Sequence, residues 1–321
     1  MNPITTRLLM EMAVNKALKE ISRGNLPRLF KRLAGSEEQL ASMGCPQELM
    51  PLARSMLKDD QHPYYTLVRK ASEEIDHRYF TGFLLNLIDE SLRGSGELLR
   101  VKHSQTGCRI PWILGIRTPL PAPDTLHATV LLGVCTYLLF LPDASSAAGL
   151  LALCRAHPHI AFAALIPDRE VSEALLHELD STPNLAILPV VRGLHSDSSP
   201  LLAARRRLYC PVFVPDCHET VQLLEAGDTA TKDDSASPLS AFVPGPDVPM
   251  ETAALLASLI FHRRMEPVHP AVSVFPPADL LSLQQIITGR PGTDFSLPGD
   301  VDSSAFILPG EEMITLIQSM A

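Results

Sequence analysis

Four charged residues stand at or just after the ends of strand-like apolar segments: Arg117, Asp143, Asp168 and Arg192. In α/β proteins the carboxyl ends of parallel strands meet at one edge of the sheet, and ligands bind there. Two carboxylates and two guanidinium groups at such an edge could hold a small polar molecule and shift each other's pKa values. These four residues are therefore the candidate ligand pocket of this chain.

Cysteine and histidine side chains are the other groups that could do chemistry. Cys210, Cys217 and His218 lie close in sequence, and a thiol beside an imidazole can form a nucleophile–base pair. The sequence identifies no third group to orient them, so structural roles are favoured. Histidines such as His157 and His159 invite a metal site, but no C-x2-C or H-E-x-x-H pattern is present. We expect no bound metal and no catalytic residue.

An alternation of short apolar strands and helices must position these side chains. Strands are expected at residues 112–116, 135–141, 160–166, 185–191, 211–214, 239–243 and 272–275. Helices are expected between them, at residues 126–133, 147–156, 171–179, 201–208, 218–224 and 250–264. Strands that alternate with helices pair in parallel through right-handed crossovers, which predicts an α/β sheet or barrel.

The first third of the chain has a helical pattern without strands. Apolar residues recur at helical spacing, and Gly or Pro residues separate the segments. Helices are expected at residues 8–21, 25–33, 46–58, 63–75 and 79–92. The sequence therefore predicts an N-terminal all-helical extension before the α/β part.

The segment that enters the first strand resembles a known motif. Residues 107–114 (GCRIPWIL) are similar to the G-C-x-I-P-W-x-I segment of one subgroup of radical S-adenosylmethionine (radical SAM) proteins. Residues 132–134 (LGV), 153–158 (LCRAHP) and 299–307 (GDVDSSAFI) resemble the family segments L-G-V, L-C-x-A-H-P and G-D-V-E-P-C-x-F-I.

The resemblance implies a fold and a division of the chain. The expected fold is a partial (β/α) TIM-like barrel of the radical SAM type with an N-terminal helical extension. Residues 1–106 would form that extension, and residues 107–280 a degenerate radical SAM-like α/β barrel. Residues 281–321 would be a vestigial C-terminal tail of the SPASM-like kind.

The iron–sulfur ligands of the family are missing from this chain. In the family, a C-x3-C-x2-C motif follows the first strand, and its three thiolates hold a [4Fe–4S] cluster. Ungapped alignment puts Ala122, Leu126 and Thr129 at the three positions. No cysteine occurs between Cys108 and Cys135, and iron–sulfur clusters require soft sulfur ligands.

Two further positions of the family pattern have changed. Residues 141–144 (LPDA) replace the G-G-E-P turn whose backbone meets the SAM amine, so both glycines are lost. Asp143 is either a remnant of the glutamate or an ordinary turn aspartate. Ser304 stands where the tail motif has its cysteine. We expect no cluster, no cleavage of SAM and no cofactor.

Composition restricts the partners of this chain. It has a net charge of −9, which argues against nucleic acids and anionic membranes, because both require a basic surface. The longest apolar run, residues 128–141, is too short to span a bilayer, which takes about 20 residues. No signal peptide is visible, and the six separated cysteines are expected to be free thiols. We expect a cytoplasmic protein.

Two functions are consistent with these observations. The first is a non-catalytic partner subunit or regulatory scaffold for another protein, such as an active radical SAM enzyme. The second is a small-molecule binder or enzyme that reuses the barrel mouth. Convergence of the four charged residues on one polar pocket would favour the second function. Filling of the mouth by Leu120, Pro142 and Pro167 would favour the first, and it is the outcome we expect.

Overall fold

Eight strands form one sheet in which seven run parallel in the order of the chain. The computed structural model describes Met12, Ile21 and residues 25–35, 50–87, 95–107, 110–121, 124–226, 239–263, 272–274, 306–307 and 311–321. The strands are β1 (Ile113–Arg117), β2 (Thr136–Phe140), β3 (Ala161–Pro167), β4 (Leu185–Arg192), β5 (Val212–Val214), β6 (Ser240–Phe242), β7 (Val272–Val274) and β8 (Phe306–Ile307). Their order is β7-β6-β5-β4-β3-β2-β1-β8, and only β8 is antiparallel to its neighbour β1.

Helices precede the sheet and connect its strands. The described part of the extension contains α1 (Leu26–Ala34), α2 (Met50–Lys58), α3 (Pro63–Glu74), α4 (His77–Leu85) and α5 (Ser95–Thr106). The later helices are α6 (Thr125–Leu131), α7 (Ala147–Ala156), α8 (Glu173–Glu178), α9 (Ser199–Ala204), α10 (Cys217–Ala226), α11 (Met250–Arg263) and α12 (Glu311–Met320). None of the described helices has the length and apolar character to cross a membrane.

The predicted α/β class is confirmed, and every predicted strand is present within a few residues. Two differences concern helices. The helix predicted at residues 79–92 is α4, which begins earlier, at His77, and residues 88–92 of the prediction lie outside the described residues; α5 was not predicted. The C-terminal pair, β8 and α12, was not predicted either. The expected helix at residues 8–21 lies mostly outside the described residues.

The connecting helices cover one face of the sheet. Val191, Phe213 and Phe242 are paired in register across β4, β5 and β6, so their side chains share a face. They form a buried cluster with Leu223 of α10 and with Leu256 and Ile260 of α11. At β2, Tyr137 hydrogen-bonds to Thr129 of α6. The strands are nearly continuous apolar runs because both of their faces are covered.

The opposite face of the sheet is covered by α12. Ile317 of this helix lines one small cavity together with one residue from each of the strands β2 to β5: Leu138, Leu165, Leu188 and Val212. Met313 is fully buried beside β1. At the far end of the helix, Gln318 donates a hydrogen bond of 2.6 Å to the carbonyl of Pro244, which follows β6. The described residues of the range 281–321 thus pack into the core of the sheet.

The helical extension packs against the amino ends of β3 and β4. Asn86, just after α4, donates hydrogen bonds to the carbonyls of Pro158 (2.8 Å) and Ile160 (3.0 Å), which precede β3. Gly82 lies so close to Pro183 that a Cβ would be 2.8 Å from the Pro183 carbonyl oxygen. The extension therefore lies at the edge of the sheet opposite the candidate ligand pocket.

A buried arginine holds this junction. The Arg207 guanidinium is completely buried, 3.8 Å from the ring centre of Tyr79 in α4. It donates a hydrogen bond of 3.1 Å to the Leu179 carbonyl, and burial lowers its pKa from the usual value. The Tyr79 hydroxyl donates to the Asp180 carbonyl at 3.0 Å. Cation–π attraction is stronger where water is excluded, so the ring and the charge stabilise each other.

Two glycine substitutions test how tightly α12 sits on the sheet. A Cβ on Gly115 in β1 would lie 2.9 Å from Ile307 Cβ, 3.0 Å from Met313 Cε and 3.1 Å from Phe140 Cε2. We expect Gly115→Ala to lower the free energy of unfolding by about 1–3 kcal/mol through overpacking. The measurement is urea denaturation of both variants and the parent.

Gly149→Ala in α7 is the matched control. Its Cβ would meet Leu120 Cδ1 at 3.5 Å, an ordinary contact, and alanine favours a helix over glycine by up to about 1 kcal/mol. This variant should be as stable as the parent or more stable. A Gly115→Ala protein with undiminished stability would show that α12 is not packed against β1 as described.

Candidate functional site

The four candidate pocket residues lie along one edge of the sheet. Arg117 ends β1 and Arg192 ends β4, while Asp168 directly follows β3 and Asp143 follows β2. These four strands are neighbours in the sheet. Each residue, however, is engaged differently, as its local contacts show.

Arg117 faces α12. In the register of the sheet, Arg117 is opposite Phe140 of β2, which places the Arg117 side chain on the face that α12 covers. The guanidinium forms an ion pair with Glu312 in the first turn of α12. Both side chains are about half exposed, so the pair contributes at most about 1 kcal/mol, and a carboxylate also suits a helix N-terminus. Arg117 therefore orients α12 at the edge of the sheet.

Asp143 caps its own turn. Its carboxylate accepts hydrogen bonds from the Ser145 hydroxyl and from the Ser145 backbone N–H, the latter at 2.8 Å. The side-chain hydrogen bond from Ser145, followed by the backbone one, lowers the pKa of this exposed carboxyl. These contacts fit the interpretation of Asp143 as a turn aspartate, and they explain its position without a ligand.

Asp168 joins the end of β3 to the loop after β4. Its carboxylate accepts from the Ser196 hydroxyl (2.8 Å), the Asp197 backbone N–H (2.8 Å) and both the N–H and the hydroxyl of Ser198. Ser196 and Ser198 are buried. The serine- and aspartate-rich run at residues 196–199 is typical of turns, and this signal could have pointed to the loop. Hydrogen bonds from the loop therefore occupy the carboxylate oxygens of Asp168.

Arg192 is exposed, and within the described part of the chain its side chain has no ion-pair partner. The next residue, Gly193, has a φ of +83°, and a Cβ there would lie 2.8 Å from Glu219 Oε1. Glu219 accepts from the Asp216 N–H at 2.9 Å, and Asp216 accepts from the Glu219 N–H at 2.8 Å. This reciprocal capping box at the start of α10 is readable from the D-x-x-E spacing, and our sequence analysis missed it.

The four side chains do not bind one another, because no hydrogen bond or ion pair among the described residues joins any two of them. Below the edge, the space beside Ile317 is an apolar cavity of about 10 Å3, the size of one water molecule. Whether the four residues hold a ligand stays a prediction.

The expected filling residues are not the ones that cover this face. Pro142 is exposed, and Leu120 lies close to Gly149 of α7. Pro167 is buried at the end of β3. The expectation that these three turn residues fill the mouth was therefore wrong for Pro142, whereas Leu120 is partly buried against the core, and α12 covers the face of the sheet. A helix from the distant C-terminus could not be placed there from local patterns.

Two of the three positions aligned with cluster cysteines lie in the hydrophobic core. Leu126 and Thr129 are fully buried on α6. The Thr129 hydroxyl donates to the Leu126 carbonyl at 2.9 Å and lies 2.7 Å from the Tyr137 hydroxyl. Burial raises the pKa of Tyr137, so its phenol stays neutral. Ala122 and Ser304 lie outside the described residues.

These residues do not fit a [4Fe–4S] cluster. Leu126 has no ligand atom, and the Thr129 hydroxyl is neither a thiolate nor free of hydrogen bonds. A cluster that binds SAM also needs an open iron, whereas both positions face the packed helix–sheet interface. A cysteine placed at either position would be enclosed in the core.

Two of the described thiols, Cys154 and Cys210, are not activated nucleophiles. Burial raises the pKa of Cys154 and of Cys210 to about 12, which keeps both protonated and weakly reactive. The His218 ring lies 3.0 Å from the Gln222 side chain on the same helix. In the described part of the chain, no group of three His, Cys, Asp or Glu residues is placed to hold a metal ion.

Comparisons with protein-family models, with curated proteins and with solved structures find no significant match for this chain. The radical SAM resemblance therefore rests on the sequence segments quoted above. The contacts of the four edge residues do not depend on that resemblance.

The pH titration of Asp143 tests its role as a cap. A lowered pKa in the folded protein means that this carboxylate stabilises the fold above its unfolded pKa and loses that contribution as the pH falls through the folded value. By NMR, we expect the pKa of the Asp143 carboxyl to lie below the usual range of an aspartate. Ser145→Ala should move the pKa upward, because it removes the largest cause of the shift.

Ser319→Ala is a suitable control, because the Ser319 hydroxyl donates to the Leu316 carbonyl in α12 and does not contact Asp143. It should leave the Asp143 titration unchanged. If Ser145→Ala left the pKa of Asp143 unchanged, that result would contradict the capping role of this carboxylate.

Proposed function

We propose that this chain is a catalytically degenerate radical SAM-type protein that serves as a non-catalytic partner subunit or regulatory scaffold of another protein. The observation that carries the proposal is α12, which covers the face of the sheet opposite the connecting helices. In the family that the sequence resembles, cofactor and substrate chemistry takes place within the barrel. A helix packed into that space leaves the frame intact and removes room for the chemistry.

The strand arrangement supports a partial barrel. A parallel sheet whose strands follow chain order, without reversal, has all its right-handed crossovers on one face. In a flat sheet, β2 and β5 would be about 14 Å apart, at roughly 4.8 Å per strand. Residues from both strands nevertheless line one small cavity around Ile317. A sheet that curves around α12 accounts for this geometry.

The residues at the cluster positions support the loss of catalysis. Leu126 and Thr129 contribute to packing between α6 and β2, as described above. Side chains that pack in this core are not placed to bind a metal cluster, because thiolate ligands need an accessible loop. The alternative of a small molecule at the carboxyl edge has less support, since Asp143 and Asp168 are occupied by local hydrogen bonds.

Exposed apolar side chains on α10 and α11 support a protein partner. On α11, Met250 and Leu255 are 87% and 61% exposed, and Val221 of the adjacent α10 is 37% exposed. Residues 250–260 contain one charged residue, Glu251. Depletion of charge around exposed large apolar side chains is typical of the centre of a protein interface. An active radical SAM enzyme is the partner that the sequence resemblance suggests.

Anaerobic reconstitution with iron and sulfide tests the loss of the cluster. After desalting, we expect the chain to retain no stoichiometric iron or acid-labile sulfide, because the aligned positions offer no thiolate. A functional radical SAM enzyme treated in parallel is the positive control. Retention of a stoichiometric cluster would overturn the proposal.

Affinity purification tests the partner role. Met250→Glu/Leu255→Glu places two charges on the α10–α11 surface and should abolish recovery of the partner that the parent chain captures. Leu131→Glu is the matched control, because Leu131 is 60% exposed on α6, away from that surface. The same proteins recovered with all three chains would contradict a partner site on α11, and recovery of none by the parent would contradict the scaffold role.

A further inference from the structure

The helical extension contains a cavity of about 370 Å3 that the proposed function does not use. Its walls are the start of α1, at residues 25–28, and the start of α3 with the residues before it, at residues 60–62, 65 and 66. Arg69 on the next turn of α3 completes the lining. A volume of this size lies in the range of small-molecule sites.

His62 supplies a buried donor at the wall of this cavity. The residue is 1% exposed, and its Nδ1 accepts a hydrogen bond from the Tyr64 backbone N–H at 3.3 Å. The ring stacks on Tyr64 and meets Tyr65 edge-on, with centroids 5.5 and 6.3 Å away, so its orientation is fixed. Because Nδ1 accepts, the neutral ring carries its proton on Nε2.

The Nε2 atom of His62 is buried and has no hydrogen-bond partner. Buried polar groups are nearly always paired, so an unpaired donor on a residue that lines a cavity indicates a group that binds there. Burial lowers the pKa of His62, which keeps the ring in the neutral form, although Asp59 acts in the opposite direction. The missing partner is therefore a hydrogen-bond acceptor.

Two arginines make the same cavity positive. Arg28 and Arg69 line it, both are exposed, and neither has an ion-pair partner among the described residues. Asp60 also lines the cavity, but its carboxylate forms an ion pair of 2.7 Å with Lys31. An acceptor that enters the cavity therefore meets two guanidinium groups that no described carboxylate pairs with.

The start of α1 adds further donors. Leu29 N–H bonds to the Asn25 carbonyl, and Asn25 makes no side-chain cap. The backbone N–H groups of Leu26 and Arg28 belong to the first turn, which has no intrahelical acceptors, and Pro27 has no N–H. The positive end of this helix dipole and its first-turn N–H groups, which have no acceptor among the described residues, favour an anion.

We propose that this cavity, bounded by Arg28, His62 and Arg69, binds a doubly charged oxyanion group, such as the phosphate of a phosphorylated small molecule. Guanidinium groups pair with oxyanions in a planar, bidentate manner, and the imidazole N–H gives a third, fixed donor. The remaining volume can hold the organic part of the ligand against the apolar side chains of Ile21 and Leu26. The site lies in the helical extension and is independent of α12 and of the α11 surface.

Calorimetric titration of the full chain with sodium sulfate, phosphate and pyrophosphate tests the site. We expect saturable binding of these oxyanions that sodium chloride at equal ionic strength does not reproduce, since screening alone is not specific. Arg28→Gln and Arg69→Gln should each weaken binding about tenfold or more, because each removes charge-assisted hydrogen bonds. Arg155→Gln, at an exposed arginine of α7, should leave the affinity unchanged.

His62→Asn separates the cap from the site. Asparagine is a good N-cap and can still accept from the Tyr64 N–H, but it lacks the imidazole Nε2–H. We expect parental thermal stability and weaker oxyanion binding. Should this variant fail to fold, the two exposed arginine substitutions decide the question.

Three results would overturn the proposal. The first is that oxyanions at millimolar concentrations give no binding heat beyond that of sodium chloride. The second is that neither Arg28→Gln nor Arg69→Gln changes the oxyanion affinity. The third is that His62→Asn binds sulfate with the affinity of the parent. Vesicles that contain phosphatidic acid distinguish a lipid headgroup from a soluble ligand. Binding to such vesicles without binding of soluble oxyanions would contradict the small-molecule site.

Discussion

The order of the strands imposes the main constraint on this fold. Seven parallel strands that follow one another without reversal send every crossover helix to one face, because parallel crossovers are right-handed. The apolar side chains of the other face must then be buried by something else. In this chain α12 does so, with Ile317 set among residues of four strands and Arg117 paired to Glu312 at its first turn. A segment from the end of the chain thus completes the core.

That solution has a chemical consequence for the carboxyl edge of the sheet. A site there needs polar groups that are placed by the frame and left uncommitted, as well as space between them. Asp168 holds the loop after β4, and Asp143 holds its own turn. Arg117 serves α12. The edge has the composition of a binding site, but most of its hydrogen-bonding capacity maintains the structure. The use of these polar groups for structure supports the proposed role of the chain as a scaffold.

The sequence predicts the strands well because both faces of the sheet are buried, so that β2 and β3 are unbroken apolar runs bounded by turns. It predicts β8 and α12 poorly, since a two-residue strand carries no periodicity and a helix's docking site is not a local property. The same limit applies to contacts. The position of Arg117 follows from strand ends, but its partner Glu312 is far along the chain. The free Nε2 of His62 becomes visible only when its Nδ1 is seen to cap α3.

The buried Arg207 also links the stability of α4 to that of the sheet. Its guanidinium belongs to the sheet region, whereas the ring beneath it belongs to α4. If α4 detached first, a charge would lose its aromatic partner before water could fully replace it, and the carbonyl of Asp180 would lose its donor. The loss of these contacts raises the free energy of a state in which only α4 has detached. The contact thereby couples the stability of α4 to that of the sheet, although their secondary structures differ.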